Sequence, residues 1–200
     1  MIDKPLTVLF YGPSGSGKGT QAKLLKEYLE GYDVNRQCEY VETGELVRQF
    51  AEESGYTQKL TADEIKKGAL LPSFLPIYLW TKLLIEKLDG SEHLILDGLA
   101  RREREVFILE GALRFYGRNN YHIISFELTE ESTRERLIGR ARSDDMSEES
   151  VNKRLSWYKE NVVPAIERFK ELSGNVHRID AEPSIEDIHK VVLKTLNLQA

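Results

Sequence analysis

Nine contiguous residues, Gly12-Pro13-Ser14-Gly15-Ser16-Gly17-Lys18-Gly19-Thr20, constrain this chain more than any other stretch. They follow a short apolar run, Leu6 to Tyr11, and lead into an amphipathic stretch from Gln21 to Leu29, so the local order is strand, glycine-rich loop, helix. That order suits a phosphate-binding loop. Gly12, Gly15 and Gly17 allow backbone conformations closed to residues with a Cβ, so successive N–H groups can converge on a polyphosphate at a helix N-terminus. Lys18 adds a point charge for the outer phosphates, which a plain Gly/Ser turn would not need. Gly19 stands where such loops commonly place Ser or Thr to hold magnesium, and Thr20 comes one residue later. The metal is therefore expected to be gripped mainly by nucleotide oxygens and water.

Beyond this loop, apolar runs alternate with longer helical patterns, the signature of a parallel sheet covered by helices. The runs predict strands at Leu6–Tyr11, Cys38–Val41, His93–Leu96, Tyr121–Leu128 and Asn175–Ile179. Helices are predicted over Arg104–Tyr116, Glu130–Ile138 and Ile185–Leu196. The capping-box pattern Thr61-Ala62-Asp63-Glu64 predicts a short helix beginning there and stopping near Gly68. A further helix follows Leu71-Pro72-Ser73, with Pro76 in its first turn. Two regions interrupt the alternation: two helical segments between Thr43 and Leu71, and a short charged stretch from Gly139 to Ser147. Both are candidates for parts that close over substrates. The 200 residues suit one domain.

Composition removes several classes. A net charge of -5 gives no footprint for nonspecific nucleic-acid binding, so any basic site is local. No membrane-spanning stretch is evident, and the N-terminus lacks the pattern of a signal peptide, so a cytoplasmic location is expected. The single cysteine, Cys38, allows no internal disulfide and no thiolate zinc cluster, and reads as a small buried residue.

The strand His93–Leu96 ends in Asp97-Gly98, which places a carboxylate at the C-terminal edge of the sheet, where α/β proteins bind ligands. Beside a phosphate-binding loop, such an acid organises magnesium through its waters. Arg101 follows, then Arg136, Arg140, Arg142 and Arg154. Phosphoryl transfer needs several such cations, because its catalysis is positioning and neutralisation of oxygens rather than covalent chemistry.

Taken in order, these segments resemble the adenylate kinases among the nucleoside monophosphate kinases, over nearly the whole chain. Gly12 to Gln21 resembles G-x-P-G-x-G-K-G-T-Q, with Ser14 in place of the proline; Thr43-Gly44-Glu45-Leu46-Val47-Arg48 resembles T-G-D-x-x-R; Gly68-Ala69-Leu70-Leu71 resembles G-x-L-V. Asp97-Gly98-Leu99-Ala100-Arg101 resembles D-G-F-P-R with Leu99 and Ala100 altered, and Arg136 to Arg140 resembles R-x-x-G-R. Arg142-Ser143-Asp144-Asp145 and Lys153-Arg154-Leu155 resemble R-x-D-D and K-R-L, with Asp145 to Arg154 one residue longer than in the family.

The resemblance implies an α/β P-loop NTPase fold of three layers. It would have a five-stranded parallel sheet, a helical monophosphate-binding insert at 43–72, and a short lid at 139–147 without a zinc-bearing insert. It implies transfer of a phosphoryl group from ATP, with Mg2+, to a nucleoside monophosphate. The donor site would comprise Gly15, Ser16, Gly17, Lys18, Gly19 and Thr20, with Arg140 on the donor base. The acceptor site would comprise Thr43, Arg48, Ala69, Leu70, Leu71, Gly98, Arg101 and Glu105, with Asp97 on magnesium through water. Lys18, Arg101, Arg136, Arg142 and Arg154 would neutralise the group in flight, while Asp144 and Asp145 would hold lid arginines. A monomer is expected, since the lid and acceptor segments must move.

The acceptor base stays open at this point. Glu105 occupies the place of a family glutamine that pairs with adenine; a carboxylate can accept from the adenine amine but leaves ring N1 without a donor, and it would also suit cytosine or guanine. Thr43 favours adenine. AMP is the expected acceptor; CMP, UMP, GMP or another small acceptor is the alternative, as is a weakly catalytic nucleotide-binding regulator.

Overall fold

Five short segments form five parallel strands, β1 (Thr7–Tyr11), β2 (Cys38–Glu42), β3 (His93–Asp97), β4 (His122–Glu127) and β5 (Val176–Asp180), in the spatial order β2-β3-β1-β4-β5. A computed structural model describes residues 2, 4–139, 148–173 and 175–199. The helices among them are α1 (Lys18–Tyr32), α2 (Thr43–Glu52), α3 (Tyr56–Lys66), α4 (Phe74–Lys87), α5 (Glu103–Phe115), α6 (Glu130–Gly139), α7 (Glu148–Trp157), α8 (Val163–Ser173) and α9 (Ile185–Thr195).

The inner strands β1, β3 and β4 read as near-continuous apolar runs because both of their faces are covered, while the edge strands β2 and β5 are only partly buried. Leu9 and Tyr11 of β1 and Leu94 and Leu96 of β3 pack with Trp80, Val106, Leu109 and Phe169 on one face. Val8, Phe10 and Ile95 pack with Leu25, Leu29, Val192 and Leu193 on the other. Cys38 lies in this second core, and burial pushes its thiol up to about 12. The register aligns Phe10 with Asp97 and Asp97 with Glu42, so the carboxyl ends of β1, β3 and β2 finish level. The crevice beyond those ends is where this class of sheet binds ligands.

The helix predicted to begin at Thr61 begins instead at Tyr56, after Gly55 at φ 154°. Thr61 lies buried in mid-helix, and its hydroxyl donates to the carbonyl of Thr57 at 2.8 Å. A threonine followed three residues later by glutamate marks a helix start only when the hydroxyl caps an N–H; here it bonds back to the i−4 carbonyl. Pro76 is accommodated as the third residue of α4, where a helix N–H has no intrahelical partner.

Helices α7 and α8 run on through a π turn, Tyr158–Val162. Pro164 accounts for it, having no N–H to give Glu160 and a ring that would strike that carbonyl in a regular helix. The N–H of Val163 reaches Tyr158 instead, and Asn161 Nδ2 donates to the Trp157 carbonyl at 3.2 Å.

Candidate active site

A cavity of about 840 Å³ opens over the carboxyl ends of β1, β2 and β3. It runs from the glycine-rich loop to a slot lined by α2, α3 and the segment before α4. Lys18, Lys23, Arg48, Arg101, Arg102, Arg136 and Arg154 line it against Glu27, Glu42, Asp97 and Glu105. The local excess of cations reverses the sign of the whole chain and suits a polyanionic ligand.

At the loop end, Gly17 caps α1 in the left-handed region at φ 84°, which sets the first turn of α1 against the cavity, where a helix N-terminus favours anions. Gly12 is fixed by close approach, because a Cβ there would sit 3.0 Å from the Phe126 carbonyl oxygen and 2.7 Å from Ser16 Oγ. Lys18 Nζ arches back to donate to the carbonyls of Gly12 and Pro13, each at 2.9 Å. Gly15, Gly17, Lys18, Gly19 and Thr20 line the cavity. Ser16 is buried beneath the loop, and its N–H donates to Pro13 O at 3.2 Å.

Asp97 is buried at the tip of β3 and accepts from Tyr40 Oη at 3.2 Å. Burial raises its carboxyl above the ordinary value, and Lys18 pulls the other way. Glu42, which the sequence reading left unassigned, ends β2 beside it and also lies 3.2 Å from Tyr40 Oη. The position of Asp97 at the end of β3 is the signal that applies equally to Glu42. Among the described residues no group of three or more ligating side chains gathers. Two neighbouring carboxylates near a phosphate-binding loop fit a hard cation that keeps waters and is held largely by substrate phosphates.

The turn after Asp97 brings Arg101 back over the site. Gly98 sits at φ 65°, and a Cβ on it would lie 2.9 Å from the Arg101 guanidinium, whose Nε donates to the Gly98 carbonyl at 2.9 Å. Burial lowers the Arg101 value and Asp97 opposes the change; the guanidinium stays charged. It lies 5.9 Å from the Trp157 ring centroid. Ala100, at φ 50°, holds a left-handed conformation that proline cannot reach, so the absence of the proline in D-G-F-P-R reflects a differently shaped turn.

Arg48 pairs with Glu42 at 3.0 Å and Glu45 at 2.9 Å. Thr43 is buried on the cavity wall, and its hydroxyl has no hydrogen-bond partner among the described residues. Ala69, Leu70, Leu71, Gly98 and Glu105 line the same lobe. Arg136 sits beside Gly15, where a Cβ would be 3.3 Å from the arginine Cβ. Its Nη2 reaches the Glu182 carbonyl at 3.4 Å, and Thr129 and Ser132 hold the Glu182 side chain. Arg154 lines the cavity from α7. Of the predicted lid, Gly139 lines the cavity; Arg140, Arg142, Asp144 and Asp145 lie outside the described residues. Sequence reasoning also missed Arg102, Trp157 and Glu182, which reach the site only through tertiary packing.

The family profile described as adenylate kinase matches residues 10–173. A protein named adenylate kinase from Corynebacterium urealyticum is 29% identical over 96% of this chain and 99% of its own length. Those of Corynebacterium diphtheriae and Leptospira biflexa are each 30% identical, over 96% and 94% of this chain and 99% and 98% of their own lengths. The profile covers most of the chain and a relative of 30% identity spans nearly all of it, so the chain belongs to the adenylate kinase family.

Proposed function

We propose that this enzyme transfers the γ-phosphoryl group of ATP to AMP, reversibly giving two ADP. The observation that carries this is the single cavity joining the Lys18 loop to a second lobe with its own cations, Arg48 and Arg101, beside the unpartnered Thr43 hydroxyl. A hydrolase needs a donor site and a water, whereas two anion-binding lobes meeting at one point suit transfer between two phosphorylated substrates.

Lys18 and the first amides of α1 hold the donor phosphates, and Arg48 and Arg101 hold the acceptor phosphate. Arg136 and Arg154, with Arg142 of the lid, neutralise the equatorial oxygens in transit. An acceptor phosphate oxygen bonds to the γ-phosphorus as the bond to the β–γ bridging oxygen breaks, and ADP leaves with that electron pair. The acceptor phosphate already carries its charge, so no protein base is required. Mg2+ would be held through water by Asp97, with Glu42 alongside, and would neutralise the donor phosphates. Residues 43–72 act as the acceptor-binding segment and 139–147 as a short lid of one domain, working as a monomer in the cytoplasm.

Steady-state ADP formation from ATP and Mg2+ with AMP, CMP, UMP, GMP and dTMP at matched concentrations tests this reading. Acceptor-dependent turnover that is fastest with AMP is expected. Turnover without an acceptor, or none with any of them, would overturn it.

A further inference from the structure

The acceptor lobe ends on an arginine that none of the recognised motifs contains. Arg102 Nη1 donates to the Leu71 carbonyl at 2.6 Å and Nη2 to the Leu70 carbonyl at 3.4 Å, which fixes the guanidinium against the chain leading into α4. Nη1 also lies 3.3 Å from Ser73 Oγ and 3.4 Å from Glu105 Oε1. A guanidinium has five N–H donors, and Nε makes no hydrogen bond to the described residues.

The two oxygens of Glu105 are unequal. Oε2 is committed to the backbone N–H groups of Arg101 at 2.8 Å and Arg102 at 3.3 Å, capping the start of α5. Oε1 takes the Ser73 hydroxyl and the long contact from Arg102. At 3.4 Å that contact sits at the edge of hydrogen bonding, so a better-placed donor can displace it. Both side chains line the cavity, where Val47, Ile65 and Leu71 supply the apolar surface a flat base needs. One wall of the slot thus carries a donor and an acceptor side by side.

We infer that Arg102 and Glu105 together read the acceptor base, Arg102 donating to a ring nitrogen and Glu105 Oε1 accepting from the exocyclic amine beside it. The assignment rests on the AMP-kinase reading and supplies what a lone carboxylate lacks, a donor for adenine N1. Hypoxanthine and guanine present N1–H and O6, the reverse order, and set donor against donor and acceptor against acceptor. Uracil is reversed in the same way. Cytosine keeps the amino order, so its rejection falls to the size of the slot and not to this pair.

The test uses kcat and KM of the whole enzyme for AMP, IMP and 1-deaza-AMP, which lacks N1, at saturating ATP and Mg2+, with Arg102→Met alongside. The parent is expected to prefer AMP over each analogue by at least about tenfold in kcat/KM. Arg102→Met should use AMP and 1-deaza-AMP within about twofold of each other, through a raised KM for AMP and with KM for ATP unchanged. A purely structural arginine would leave the preference for AMP over 1-deaza-AMP intact, and that result overturns the assignment. So does a parent enzyme that uses either analogue as well as AMP, a result that needs no variant and holds even if Arg102→Met folds poorly. A parent with no AMP-dependent turnover overturns the underlying reading instead.

Discussion

The two ends of the cavity are held in place by different means. The donor end grows out of the sheet: β1 is wholly buried, and Gly12 packs so closely against Phe126 that a single methyl group would collide. The acceptor end is carried outside the sheet by α2, α3 and α4 over a small core of Val47, Leu71 and Leu75, flanked by Phe50, Ile65 and Leu79. Polar ties supplement that core: Arg102 on the Leu70 and Leu71 carbonyls, and Arg104 and Glu105 on Ser73. Packing fixes the glycine-rich loop, while the opposite lobe rests on a smaller core and on a few hydrogen bonds.

The sharpest way to break this contrast is at Lys18. Lys18→Ala should lower turnover by at least about 100-fold, with Tm within about 2 °C of the parent, because it removes charge stabilisation from a loop that packing holds. A large fall in Tm would show that the loop depends on its lysine.

Asp97→Asn is expected to have a smaller effect on turnover and, unlike Lys18→Ala, to raise stability. A carboxyl whose folded value is raised contributes stability only below its unfolded value, and loses it as pH rises through the folded value. At neutral pH the ionised group therefore opposes folding. The variant should raise Tm by about 2 °C or more while Mg2+-dependent turnover falls at least about tenfold. In the parent, turnover should decline on the acid side from above the ordinary aspartate range. An unchanged or lower Tm in thermal melts would overturn this account of the site.

The smallest effect is expected at Ser73. Ser73→Ala should cost about 1 kcal/mol and raise KM for AMP a few-fold, leaving KM for ATP alone. An equal rise in both would mean that the two ends are mechanically one unit.

The same division decided what could be read from the sequence. The donor loop is contiguous, and its strand–loop–helix order is local, so Gly15, Gly17 and Lys18 fell where their pattern put them. The inner strands β1, β3 and β4 were legible because burial on both faces leaves near-continuous apolar runs, whereas the edge strands β2 and β5 are only partly buried and carry charged residues among their apolar ones. Glu42, Arg102 and Glu182 were not legible, since each matters through a neighbour distant in sequence: Asp97 across a strand pair, Leu71 across α4 and β3, Arg136 across α7, α8 and β5. The start of α3 was misplaced for a different reason, since Thr61 and Glu64 carry a cap's pattern without its hydrogen bond.

The π turn at Tyr158–Val162 lets one helical run serve two faces. One residue added to a regular helix rotates everything beyond it by about 100°, enough to turn a core face to solvent. A wide turn absorbs that residue, so Arg154 and Trp157 face the cavity while Ala165 and Phe169 stay in the core. Pro164 thus marks a joint at which the face turned to the cavity and the face that seals the sheet are set independently within one continuous helical run.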